Sequence, residues 1–99
     1  MDEKKNNPRE KLKVTASTEH QQSRMVVKGF VKNEGDDIFC LQELKALYKN
    51  FDGFVITIDS MKFESELSGS DTISFQFPER NTPVNFCICE VVVSKFKVK

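Results

Sequence analysis

Two cysteines, Cys87 and Cys89, stand one residue apart near the end of the chain. A third, Cys40, and the single histidine, His20, complete a set of three thiols and one imidazole. That is the donor inventory of a structural zinc site. The spacing argues against it. Cys-x-Cys is not the usual zinc pairing, Cys40 falls among apolar residues, and His20 lies in a polar stretch that reads as a turn. Free cysteine is among the most buried residue types. The expectation is therefore packed thiols and no cofactor. An odd number of cysteines also fits reduced thiols better than a disulfide framework.

A second chemistry is carried by lysines interleaved with phenylalanine. In VVKGFVK, alternation puts Lys28, Phe30 and Lys32 on one face of a strand, and SKFKVK adds Lys95, Phe96 and Lys97. Cations track phosphates and rings stack bases, which suits a single-stranded nucleic acid. Lys28-Gly29-Phe30 also resembles the opening of the ribonucleoprotein motif of RNA-recognition and cold-shock domains. The resemblance ends at Val31 and Lys32 and the order of elements differs, so it implies no family. The same six residues would equally serve as aromatic and basic anchors for a protein partner. Glu64 and Glu66 offer a second, acidic face.

Enzyme chemistry finds little support. One histidine limits acid–base options. The carboxylates (Asp36, Asp37, Asp52, Asp59, Glu64, Glu66) fall where caps, turns and solvent faces need them. There is no Gly-rich phosphate loop and no nucleophile motif. The expectation is a non-enzymatic protein without a small-molecule substrate.

Net charge is zero over 99 residues, but the signs are segregated. Residues 1–33 carry eight Lys/Arg against four Asp/Glu, residues 34–79 three against ten, and residues 80–99 four against one. A fold that pairs the two ends of the chain would have a basic and an acidic side, able to steer a charged partner or meet a second copy. MDEKKNNPREK is charged throughout and does not read as a signal peptide. No stretch approaches the ~18 apolar residues of a membrane span. A cytoplasmic location without membrane contact is the expectation.

These side chains need elements to place them. Residues 1–11 read as a disordered charged arm and 12–99 as one domain. LKVTASTE and RMVVKGFVK alternate and should form an antiparallel hairpin. After NEGDD, with Asp36 or Asp37 as cap, the spacing Ile38, Leu41, Leu44, Leu47/Tyr48, Phe51 predicts a helix, with Gly53 as its left-handed stop. Residues 54–67 read as a strand whose apolar set changes from Phe54, Ile56 and Ile58 to Met61, Phe63 and Leu67, which predicts a bulge or bend near Asp59–Ser60. TISFQF points Ile73, Phe75 and Phe77 inward. The last strand, from Val84, is apolar on both faces and should be central or covered on both sides. The fold class expected is α+β: an antiparallel five-stranded sheet in the order ββαβββ, open or strongly curled, with one helix packed on it. Its expected work is binding, to another protein or to a second copy of itself through the last strand. Single-stranded nucleic acid is the alternative partner.

Overall fold

The computed structural model describes residues 11–99. The charged arm expected over residues 1–11 lies, Lys11 apart, outside them. Seven strands follow one another: β1 Leu12–Gln21, β2 Arg24–Asn33, β3 Phe39–Lys49, β4 Val55–Leu67, β5 Thr72–Gln76, β6 Arg80–Asn81 and β7 Ile88–Val98. The described residues contain no α-helix, so the α+β expectation is overturned. All pairings are antiparallel, in two sheets. Sheet A runs β1-β2-β5, with β6 continuing beside β2; sheet B runs β4-β3-β7. The thinnest extent is 17 Å, which fits two stacked layers rather than one curled sheet.

β1 and β2 form the expected hairpin, closed by a two-residue turn in which Gln22 takes a left-handed φ of 60°. Met25, Val27 and Val31 face inward from β2 and meet Phe75 and Phe77 from the β5 segment. Gly29 is forced by close approach: a Cβ there would stand 1.9 Å from the Thr15 carbonyl oxygen on β1. Sheet B closes over this layer with Phe39, Leu41, Leu44, Ala46, Tyr48, Val91 and Val93. Each such apolar side chain, once buried, stabilises the fold by about 1.5–3 kcal/mol.

The segment expected to be helical is β3, the centre of sheet B. Its inward residues are Phe39 and Leu41, then Leu44, Ala46 and Tyr48. The register shifts between Leu41 and Leu44, so the inward face passes from odd to even numbers. That single step of three is what imitates helical spacing. β7 changes face at the same place, from Val93 to Phe96, while β4 spans the stretch with four residues and keeps its odd face inward. Ser94 braces the irregularity by donating its hydroxyl to the Glu43 carboxylate at 2.7 Å. Good helix formers (Leu41, Gln42, Glu43, Leu44, Lys45, Ala46) are held extended by partners on both edges; tertiary pairing overrides local preference. Gly53 does adopt a positive φ, 87°, but in the β3–β4 turn. Asn50 organises that turn, its side-chain oxygen accepting from the Asp52 and Phe54 amides.

Two further expectations are corrected. β4 has no bulge or bend at Asp59–Ser60; its odd residues from Thr57 to Leu67 face inward, leaving Ile58 outside, and its register shifts against β3 fall on either side, between Lys62 and Ser65 and between Val55 and Thr57. β7 begins at Ile88 rather than Val84, and it is the outer strand of sheet B rather than a central one. Val84 and Cys87 are exposed in the preceding loop.

At one end of the sandwich sits the one buried polar residue of the described chain, Asn33. Its side-chain amide donates to the carbonyls of Asp37 (2.7 Å) and Leu67 (3.0 Å) and accepts from the Gly35 amide (2.9 Å). Its backbone bonds to Asp71 and Ser70. One side chain thus ties β2 to the entry of β3 and the exit of β4.

Candidate interaction surfaces

The six anchor candidates do not form one site. Lys28, Phe30 and Lys32 lie on the outer face of sheet A. Phe30 is 54% exposed at the middle strand, flanked by Thr15 on β1 and Ser74 on β5. Lys28 is paired with Glu19 at 2.7 Å. Lys32 stands directly opposite Lys13, and neither has an ion-pair partner among the described residues. Lys95 and Lys97 are exposed on β7 of sheet B, whereas Phe96 turns inward and packs edge-on against Phe39 at 5.9 Å. The two basic-aromatic stretches therefore belong to different sheets. Glu64 and Glu66 lie on the outer face of β4, and Glu66 holds Lys99, raising the lysine's pKa by hydrogen bonding and charge.

The thiols and His20 are likewise dispersed. Cys40 lies opposite Lys97 and Glu66 at the Asn33 end of β3. Cys89 pairs with Tyr48, eight residues further along that strand, or about 26 Å at 3.3 Å per residue. His20 packs on Phe86 at 5.9 Å. Among the described residues no group of three or more His, Cys, Asp or Glu could hold a metal ion. Burial pushes the Cys89 thiol up to about 11, with Asp59 and Glu90 adding to it.

Near Cys89 a polar cluster joins the sheets. The Tyr48 hydroxyl donates to Asp59 Oδ2 at 2.9 Å. Arg80, on β6 of sheet A, donates to Asp59 Oδ1 at 2.9 Å and lays its guanidinium 4.9 Å over the Tyr48 ring. Burial, then the bond to Asp59, holds Tyr48 above the usual tyrosine range. Every charged group in the cluster is engaged, which makes it a clasp between the layers.

The surface that stands out was not anticipated from the sequence. Among the described residues ten large apolar side chains are exposed, and seven of them (Phe51, Phe54, Val55, Ile56, Ile58, Val84 and Ile88) gather at the β3–β4 turn end of sheet B. Pairing puts Val55, Ile58 and Ile88 on the outer face at that end. Leu47 lies between Ile58 and Glu90, and Lys49 between Val55 and Ile88. Lys49 and Glu90 neutralise each other at 2.6 Å inside this patch. The available signal was the even-numbered set Phe54, Ile56, Ile58, which an inward assignment concealed.

No protein-family model matches this sequence, no curated protein matches it, and no solved structure matches its fold. Among the described residues no helix is long and apolar enough to cross a membrane.

Proposed function

We propose that this protein is a non-enzymatic interaction module that captures a protein partner through the apolar end of sheet B. One observation carries the reading: among the described residues, seven of ten exposed large apolar side chains lie at one end of sheet B instead of being scattered. Clustered exposed apolar surface of this kind marks binding sites, whereas isolated residues do not. Phe51 and Phe54, on a turn braced by Asn50, are the natural anchors. The reading keeps the protein in the cytoplasm, supported by three uncrosslinked cysteines. The test is affinity capture from native cells after nuclease treatment, with wild type, Phe54→Asp, Ile58→Lys and Phe30→Ala as baits. Partner capture should be lost with the first two variants and kept with the third. Capture indifferent to Phe54 and Ile58 sinks the reading.

A second reading, single-stranded nucleic-acid binding, is favoured by one observation on sheet A. Lys13 and Lys32 face each other, neither with an ion-pair partner among the described residues, an unfavourable cross-strand pair in isolation, two register positions from exposed Phe30. An anion between them would relieve the repulsion, and Phe30 would stack a base. Oligonucleotide titration separates the readings, because phosphate contacts weaken by roughly 0.7 log units each per tenfold salt. Absence of binding at low salt eliminates this one.

A further inference from the structure

We propose that the partner seated on the apolar end of sheet B is a second copy of this chain, packed face to face with its strands antiparallel about a two-fold axis passing between Leu47 and Lys49. This rests on the interaction reading above and names its partner.

Two arguments carry it. The first is area. Phe51 and Phe54 are 84% and 69% exposed, which leaves about 300 Å² of ring surface in water at ~200 Å² per phenylalanine. Five aliphatic side chains extend the patch beyond that. It is therefore large for a monomer, and two such patches together approach the ~1,200 Å² at which stable interfaces begin.

The second is charge. Lys49 and Glu90 cancel within each chain, so the centre of the patch presents no net field. Its two ends do not cancel. Asp52 is exposed in the turn at one end. Lys45, between Ser60 and Val92 on the outer face, lies at the other. Neither has an ion-pair partner among the described residues. A two-fold axis along the strands would set Asp52 over Asp52 and Lys45 over Lys45. An axis across the strands sets each Asp52 over the other copy's Lys45, twice. The patch is self-complementary in the second arrangement alone, and isologous pairing closes there without growing into a filament. The patch lacks the run of basic residues that draws a surface to anionic lipid.

Sedimentation equilibrium of the full chain over ~1–200 µM tests this, with circular dichroism confirming that each variant is folded. Wild type should be a monomer–dimer system, and Ile58→Lys a monomer. Lys45→Glu and Asp52→Lys should each weaken the dimer by about tenfold, each breaking two rim pairs. The double variant Lys45→Glu/Asp52→Lys should return to wild-type affinity. Recovery in the double variant supports the geometry because general damage would accumulate instead. A wild type monomeric throughout the range overturns the inference, as does a dimer indifferent to Ile58→Lys, or charge variants that show no rescue. A monomeric wild type that loses a cellular partner on Phe54→Asp would leave the interaction reading standing and sink only the second copy. Flotation of a monomeric wild type with zwitterionic vesicles would replace the second copy with a lipid surface.

Discussion

Replacing Asn33 by alanine should remove a large part of this protein's stability. The residue is fully buried, and its side chain satisfies three backbone groups: the carbonyls of Asp37 and Leu67 and the amide of Gly35. An alanine fills none of those roles. Each backbone group left without a partner in a buried setting costs about 1–3 kcal/mol. Leu67 is buried whereas Asp37 and Gly35 lie nearer water, which can partly replace the lost bonds. The expected loss is therefore about 3–5 kcal/mol, below the sum of three full penalties. A domain of this size has roughly 5–15 kcal/mol in total. Urea unfolding followed by circular dichroism measures the change. With an m-value of about 1–1.5 kcal/mol/M, the midpoint should fall by about 2–5 M. Asn33→Asp should be worse near neutral pH, because a carboxylate would then face two carbonyl oxygens. Its deficit should shrink as pH falls and the carboxyl protonates. Asn81→Ala, which removes only an exposed bond to Arg24, should stay within about 0.5 kcal/mol of wild type. An Asn33→Ala variant that loses under 1 kcal/mol would refute the view that this side chain joins the two sheets.

Three other outcomes follow from the described geometry. Gly29→Ala must displace the Thr15 backbone, and thermal unfolding should show a loss of about 1–3 kcal/mol. Glu43 is held below its usual pKa of 4.5, first by the Ser94 hydroxyl; the stability it contributes is present above that value and lost as pH falls. In an NMR titration Ser94→Ala should move the Glu43 midpoint back up, and no movement would remove the assigned cause. The third concerns thiols. Exposed Cys87 should alkylate first, whereas Cys89, raised from 9.0 to about 11, holds about a hundredfold less thiolate at pH 8 than an unperturbed thiol. Folding keeps Cys89 and Tyr48 protonated; the Cys89 contribution is whole below about pH 9 and is lost as pH rises through about 11, and Tyr48, also raised, adds to the alkaline loss. Mass spectrometry of timed labelling and an alkaline unfolding series check both statements.

Sheet A was readable because its chemistry is regular. Met25, Val27 and Val31 alternate with Lys28, Phe30 and Lys32, and Ile73, Phe75 and Phe77 alternate with Ser74 and Gln76, so period two identifies both strand and face. Sheet B resisted the same logic for two reasons. A change of face inside β3 produced a step of three, Leu41 to Leu44, among residues that also favour helices. In β4 the assumption that apolar means inward failed at Ile56 and Ile58, which are apolar and outside, while inward Asp59 is polar and held by Tyr48 and Arg80. The same assumption hid the candidate surface. The basic-aromatic residues were visible as a pattern, but linear spacing carries no information about which sheet receives them. Lys28 and Lys95 are separated by the whole core, and Phe96 was needed inside it.

The matched change of face in β3 and β7 divides sheet B into two tiles joined along a seam at Glu43 and Ser94. On either side of that seam the pleat is ordinary; across it, the numbering of one strand has meaning only relative to the other. Deleting a single residue from either strand there would shorten its step of three to the ordinary two, keep its core side chains inward, and leave one residue of the other strand unmatched. A deletion in both strands at once would erase the seam between them and leave the pair regular. Length variation at this point should therefore be absorbed as a bulge when single and vanish when coupled, so a loop-sized edit in a strand interior becomes a question of synchrony between two distant stretches of chain.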